Sequence, residues 1–200
     1  MNIKELINTF PDYAKDIKLN YSKILNEDIL NKKQLYSIIL ISSFTTQLNS
    51  LKDAALEETK EFIDEELMED VYGAYSIMSM NAIYYRFTHL SAENDYFTMP
   101  ANLRMQYLSK FKIDKSDFEM LCLAVAIIIG CGKCINAHEN ILRENNISKL
   151  HIQTVARIAS IVNSIANVIR VLNWAIIPYM EYYFFLFVYL LHIYLEEKAY

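Results

Sequence analysis

The 200-residue chain predicts an all-α fold built from several helices, and three observations carry that prediction. It holds only three glycines and three prolines. A β-rich fold of this length needs far more of these turn residues. Apolar side chains recur at helical spacing in most segments. Finally, 54% of the residues are hydrophobic, enough to fill one sizeable core, so one or two compact units fit the length.

The first helix is expected over 12–25, where Tyr13, Ile17, Leu19, Tyr21 and Ile24 stand among charges. Residues 33–48 are almost continuously apolar and predict a buried helix. Residues 64–89 carry Leu67, Val71, Ala74, Ile77, Met78, Met80 and Ile83 close to the helical period. A break is expected at 91–100, where Ser, Asn and Asp cluster before Pro100. The next helix spans 116–129. Its opening Ser116-Asp117-Phe118-Glu119 has the pattern of a capping box, and Gly130 closes it. A short helix over 132–144 and a long one over 149–172 complete the set.

A faint internal repeat runs through this series. With an offset of 85 residues, 35–44 lies over 120–129 and 74–86 over 159–171. In that register Thr46 matches Cys131, Asn49 matches Cys134 and Asp53 matches His138. The apolar pattern is kept while the chemistry is confined to the second copy. The halves fall at about 1–90 and 91–172.

Charge and targeting signals narrow the function classes. The net charge is −5 and the 19 basic residues are scattered, so nothing resembles a nucleic-acid footprint. The opening Met1-Asn2-Ile3-Lys4-Glu5-Leu6-Ile7 has no uninterrupted apolar stretch and does not read as a secretory signal; a cytoplasmic location is expected. The three cysteines are then not a disulfide framework. In a reducing compartment a close pair points to catalysis or metal binding.

That pair lies in Gly130-Cys131-Gly132-Lys133-Cys134-Ile135-Asn136-Ala137-His138-Glu139. Cys134 falls in the first turn of a helix, where unpaired N–H groups and the macrodipole favour a thiolate. Lys133 adds positive charge. His138, four residues on, shares the face of Cys134 and reaches it as hydrogen-bond partner or proton acceptor. Cys131 precedes Cys134 by three residues, a spacing that permits an intramolecular disulfide. One thiolate would attack a peroxide or disulfide and the other would resolve the intermediate.

Other assignments compete. Cys131, Cys134 and His138 with Cys122 or His151 could form a structural zinc site, although no second C-x-x-C or H-x-x-x-H pair supports it. Glu119 is either the last residue of the capping box or a half-buried carboxylate relaying protons to the thiols. Cys122 sits among Leu121, Leu123 and Val125 and reads as an inert core thiol. His89, His151 and His192 have no convergent partners and read as structural or surface residues.

Cys131-x-x-Cys134-x-x-x-His138-Glu139 resembles the signature of the AhpD alkylhydroperoxidase family, within the carboxymuconolactone decarboxylase-like superfamily. The segments Phe10-Pro11-Asp12-Tyr13-Ala14-Lys15-Asp16-Ile17-Lys18-Leu19-Asn20 and Ile77-Met78-Ser79-Met80-Asn81-Ala82-Ile83-Tyr84-Tyr85-Arg86 also resemble that family. So does Asp117-Phe118-Glu119 leading an apolar helix into the cysteines, and the likeness covers roughly residues 1–172. It implies an all-helical subunit with two degenerate repeats, assembled as a homotrimer. It implies antioxidant reduction of alkyl hydroperoxides, of a partner peroxiredoxin of the AhpC type, or of both. No bound cofactor is implied; electrons would reach a redox-active Cys131–Cys134 disulfide from a lipoyl-bearing protein. Cys134 resembles the cysteine that becomes the sulfenic acid, Cys131 its resolving partner, and Glu119 and His138 the proton relay. Lys133 departs from the pattern, standing where some members have a histidine. Two other functions are weighed: a non-catalytic helical protein with a metal at the cysteine–histidine cluster, and a carboxymuconolactone decarboxylase-type enzyme that needs no cysteine pair.

The likeness stops near residue 172, leaving 173–200 as an apolar, aromatic extension. Its 14 uncharged residues at 182–195 would span ~21 Å as a helix, short of a ~30 Å hydrocarbon core. Membrane contact, packing on an oligomer, and a terminus with little selected meaning are the three readings, with the last preferred.

Overall fold

A computed structural model describes residues 1–93 and 95–172. All regular structure among them is helical, as the composition predicts: α1 Ile3–Asn8, α2 Lys15–Leu25, α3 Lys32–Thr45, α4 Asn49–Thr59, α5 Glu65–Leu90, α6 Asp95–Thr98, α7 Lys115–Ile129 and α8 Gly132–Glu144, then α9 Lys149–Leu172. Met1–Ala166 form one compact unit, and Asn167 begins a second. Of that second unit the described part is the end of α9, where Arg170 Nη1 donates to Asn167 Oδ1 at 2.9 Å.

The core of the first unit is built around α7. This helix packs against α3, α5 and α8, and Phe118 together with Met120–Ala126 is buried. Helix α3 is buried from Leu35 to Thr45. Two of its hydroxyls turn back onto the helix, Ser43 Oγ donating to Ile39 O at 2.8 Å and Thr45 Oγ1 to Ile41 O at 2.7 Å, while the buried Ser42 Oγ has no partner among the described residues. Helix α9 is long and apolar enough to cross a membrane by length and composition. Val155, Ile158, Ala159, Val162, Ile165 and Ala166 are nonetheless fully buried, the mark of a core helix.

Side-chain caps set several boundaries. Asn2 and Asn31 close capping boxes with Glu5 and Gln34 at the starts of α1 and α3. Asp64 Oδ1 accepts from Leu67 N–H at 2.9 Å and starts α5. Pro11 opens a 3₁₀ turn over Asp12–Ala14, which delays α2 to Lys15. Helices α1 and α4 go beyond the sequence expectation, and the 91–100 break contains the single turn of α6. The helix expected over 33–48 ends at Thr45, and Gln47 adopts a left-handed φ of 57°.

One expectation is overturned. Ser116 does not cap α7; Asp114 does, its carboxylate accepting from Ser116 N–H at 2.7 Å and Asp117 N–H at 3.4 Å. A carboxylate two residues earlier is the stronger acceptor for these amides. The third helical position is therefore Asp117, not Glu119, and Asp117 takes a 2.7 Å bond from Gln34 Nε2. Burial raises the Asp117 pKa, and the Gln34 hydrogen bond opposes that rise. Glu119 is left without a capping role.

The helices α3, α4 and α5 recur in order as α7, α8 and α9, with starts displaced by 83, 83 and 84 residues. That is within two residues of the register read from the apolar pattern.

Ahead of α7 the chain is tied to α5 by a buried carboxylate. Asp70 is fully buried. Its Oδ1 accepts from Tyr107 Oη–H at 2.8 Å, and its Oδ2 accepts from the amides of Lys112 at 2.7 Å and Ile113 at 2.8 Å. Both oxygens of a group too buried to be hydrated are thus hydrogen-bonded. Burial first, and then Asp70, raises the Tyr107 pKa, so the phenol stays protonated and donates. Its ring lies across α5 at Gly73, where a Cβ would overlap Tyr107 Cε1.

Candidate active site

The site is a turn between two helices. Helix α7 ends at Gly130, whose φ of 77° lies in the left-handed region. No atom stands within 4 Å of the place its Cβ would occupy, so the backbone angle alone calls for glycine. The amides of Gly130 and Cys131 both donate to Ala126 O at 3.0 Å, closing α7 and turning the chain sharply. Arg86 Nη1 on α5 donates to Ile129 O at 2.6 Å, putting a cation at the negative end of α7.

Cys131 then caps α8. Its backbone is extended and its Sγ accepts from Cys134 N–H at 3.2 Å. Gly132, Lys133 and Cys134 are the first three residues of α8. Cys131 and Cys134 are joined as a disulfide with Cα atoms 5.3 Å apart. Cys131 is fully buried and Cys134 is 5% exposed, so Cys134 is the slightly more open of the two.

One turn along α8, His138 Nδ1 lies 2.6 Å from Glu119 Oε2, and both side chains are largely buried. The carboxylate accepts from the ring N–H, which joins α7 to α8 through a charge-assisted bond. Glu119, His138 and the two cysteines thus come together around one helix–helix contact. His138 occupies the position four residues after Cys134, on the same face of α8.

Lys133 points back toward α5 and α6. Its Nζ lies 3.7 Å from the ring centroid of Phe97 and 4.9 Å from that of Tyr85. Cation–π contacts of this kind contribute about 0.5–1 kcal/mol at exposed sites. They hold the ammonium beside the cysteine turn. His89 approaches the same turn, its Nε2 being 3.9 Å from the place a Cβ would take on Gly132. Nothing convergent on His89 is visible in the sequence, and Phe97 does not stand out there. The only signal within the sequence was the spacing of Tyr85 and His89, one turn apart near the end of a helix.

The zinc arrangement finds no support in the side-chain placement. Among the described residues no group of three or more His, Cys, Asp or Glu side chains could hold a metal ion. His151 Nδ1 is 2.7 Å from Ser148 Oγ, at the start of α9. Cys122 is buried in the core; burial and, to a lesser extent, Glu119 push its pKa well up, so its thiol stays protonated. His192 and the extension at 173–200 lie outside the described residues.

A cavity of ≈ 550 Å³ opens against α7, α8 and α9, lined by Ile127, Ile135, Glu139 and Leu150 among others. Neither cysteine and neither member of the Glu119–His138 pair lines it.

Comparison with known proteins identifies relatives of the chain. The profile of the carboxymuconolactone decarboxylase family matches residues 94–176, which include all four side chains of the site. A protein of Brucella anthropi named alkyl hydroperoxide reductase AhpD is 40% identical over 166 residues, covering 83% of this chain and 95% of that protein. A protein of the same name from Azorhizobium caulinodans is 41% identical over 166 residues and is covered to 92%. Another from Solibacter usitatus is 37% identical over 171 residues and is covered to 97%.

Proposed function

The chain belongs to the AhpD family, and from that premise we propose that it is an antioxidant thiol–disulfide oxidoreductase that reduces alkyl hydroperoxides, a partner peroxiredoxin, or both through Cys131 and Cys134. The observation that carries this reading is the disulfide at the N-terminus of α8 with the Glu119–His138 pair one turn away. A bonded cysteine pair beside a positioned acid–base couple fits two-electron thiol chemistry.

In the proposed cycle the reduced Cys134 is the attacking thiolate. Its sulfur attacks the terminal oxygen of the hydroperoxide; an S–O bond forms, the O–O bond breaks, and the leaving alkoxide takes up a proton to become the alcohol. The Cys131 sulfur then attacks the resulting sulfenic acid. The S–S bond forms as hydroxide departs, and the proton released by Cys131 converts it to water. Two thiols are oxidised and the peroxide gains two electrons. With a peroxiredoxin disulfide, Cys134 forms a mixed disulfide that Cys131 resolves. An external dithiol restores the thiols by exchange.

His138 and Glu119 are assigned to the protons. With Nδ1 bound to Glu119, Nε2 is the nitrogen left to exchange a proton with the Cys134 thiol. The carboxylate fixes that tautomer and stabilises the imidazolium when it forms. Lys133 and the α8 N-terminus favour the Cys134 thiolate. The reading includes an AhpC-type peroxiredoxin as partner, a lipoyl-bearing protein as reductant, a homotrimer and a cytoplasmic location. These four rest on family membership alone.

The test is thiol counting on anaerobically purified, reduced protein before and after peroxide, with metal analysis on the same sample. The expected result is loss of two thiols per chain without stoichiometric metal. Zinc at one equivalent with protected thiols refutes the reading. Cys134→Ser should abolish turnover, while Cys131→Ser should react once and then accumulate sulfenic acid or a mixed disulfide. The Cys131 sulfur already accepts an amide hydrogen bond; if alkylation against pH shows Cys131 as the more acidic thiol, the two roles are exchanged.

A further inference from the structure

The cysteine turn is the meeting point of two cationic side chains and a histidine, although the chain as a whole is negative at −5. Arg86 reaches Ile129 O, His89 lies against Gly132, and Lys133 stands between the cysteines in sequence. Lys133 occupies the second position of α8, where the macrodipole disfavours a cation. Helix stability therefore does not account for it.

Neither does an ion pair. Among the described residues no carboxylate lies within 4 Å of Lys133 Nζ; Glu93 and Asp95, which precede Phe97 in sequence, are exposed and do not pair with it. The acid of the site itself, Glu119, is taken by His138. The ammonium is held instead on the faces of Phe97 and Tyr85, which fix its place and leave its charge unneutralised. Phe97 is 53% exposed and presents an apolar surface beside that charge.

We propose that Lys133, clamped by Phe97 and Tyr85, makes the cysteine turn selective for thiol-reactive substrates that carry a carboxylate, with an organic hydroperoxide bearing a carboxylate as the substrate class. This deepens the function proposed above and rests on it for the peroxide step. The chemistry is unchanged: the Cys134 sulfur takes the terminal peroxide oxygen and the alcohol leaves, its carboxylate intact. What Lys133 adds is attraction of the anion to a surface that elsewhere repels it.

A charge beside a thiol can also act by favouring the thiolate, and one pair of reagents separates the two effects. Iodoacetate and iodoacetamide attack the same thiolate, so the ratio of their rates cancels its pKa and reads only attraction of the reagent's charge. With reduced wild-type protein, and the alkylated residue identified as Cys134 by mass spectrometry, the iodoacetate-to-iodoacetamide ratio should exceed that of N-acetylcysteine amide. It should fall in high salt. Lys133→Gln should lower it roughly threefold, the order expected of one unit charge acting through partly solvated surroundings, and Lys133→Arg should retain it. Lys15→Gln on α2 makes the same change in net charge and should leave the ratio unmoved.

A carboxylated hydroperoxide compared with its methyl ester should show the same order of preference and the same dependence on Lys133. A wild-type ratio no higher than that of the free thiol, or one indifferent to salt and to Lys133→Gln, overturns the proposal. The salt series needs no variant and decides even if Lys133→Gln fails to fold. Thiols inert to both peroxides would refute the peroxidase reading instead, and the alkylation ratio would still decide whether the turn selects anions.

Discussion

Glu119 Oε2 and His138 Nδ1 lie 2.6 Å apart across the α7–α8 contact, and Glu119 has no part in capping its own helix. That separation of roles makes the carboxylate testable. Glu119→Gln keeps an oxygen that accepts from the ring N–H, so the fold and the histidine tautomer should survive with a melting temperature close to wild type. The neutral amide cannot stabilise an imidazolium. Turnover should fall by roughly 10²–10⁴, as for loss of a general acid–base group. Parallel measurements of thermal unfolding and peroxide-dependent thiol oxidation check this. If both drop together, the pair is a structural tie only.

The Tyr107 clasp yields a stability prediction. In an isolated helix Gly73→Ala would gain about 1 kcal/mol. Here the new Cβ would overlap a ring whose hydroxyl is tied to Asp70 Oδ1 and to Glu69 O at 3.1 Å. Displacing the ring breaks those bonds, so overpacking should win and cost about 1–3 kcal/mol. Urea unfolding of Gly73→Ala, Tyr107→Leu and the double variant checks it. The double variant should be more stable than the sum of the two single effects implies. A neutral or stabilising Gly73→Ala would mean that the ring moves aside freely.

How much of this was visible in the sequence follows from distance along the chain. The cysteines and His138 occupy two turns of one helix, so spacing alone put them on one face. The helix over 132–144 was legible for the same reason: Gly130 before it and an apolar periodicity within it. Glu119 was found but given the wrong local partner, because Ser-x-x-Glu matches a capping pattern and Asp114, two residues upstream, is the stronger acceptor. Phe97, Tyr85 and His89 reach the turn from other helices, and only the one-turn spacing of Tyr85 and His89 hints at it. Gly73 and Tyr107 are likewise 34 positions apart and meaningful only as a pair. Helix α4 carries a short, largely polar sequence whose apolar face is just Leu51, Ala54 and Ala55, too sparse to stand out.

Acid should weaken the unit through Glu27 and Arg157. The guanidinium donates to both carboxylate oxygens, at 2.7 and 2.6 Å, from α9 to the connection after α2. That hydrogen bonding lowers the Glu27 pKa from its ordinary 4.5. A carboxylate with a lowered folded pKa leaves the unfolded chain to bind the proton first. Its contribution is therefore complete above about pH 5 and is lost as pH falls through the lowered value. The pair is partly exposed, so after screening it is worth up to about 1 kcal/mol. Asp117 works the other way: burial raises its pKa, the folded state takes up that proton first, and the acid slope of the whole protein is blunted. The difference between wild type and Arg157→Met cancels Asp117. It should stay constant from about pH 5.5 to 8 and shrink as pH falls below the ordinary carboxylate range. A difference that does not shrink in acid would show that Arg157 acts through packing of its stem.

The extension at 173–200 lies outside the described residues, and its contribution is a matter for truncation. The four side chains of the site fall between Glu119 and His138. The Brucella anthropi relative is covered to 95% by 166 residues of this chain, so that protein is nearly complete without a counterpart to the remainder. The extension also carries 14 consecutive uncharged residues dense in Tyr, Phe and Leu, a composition that forms an aggregation-prone surface when water-exposed. A chain ending at Asn173 should therefore fold, oligomerise and lose two thiols to peroxide, with higher solubility than the full-length protein. Size-exclusion chromatography and thiol counting on the two forms make the comparison. A shortened chain that is unfolded or monomeric would place 173–200 in the core or at the subunit interface, and its dispensability would have to be abandoned.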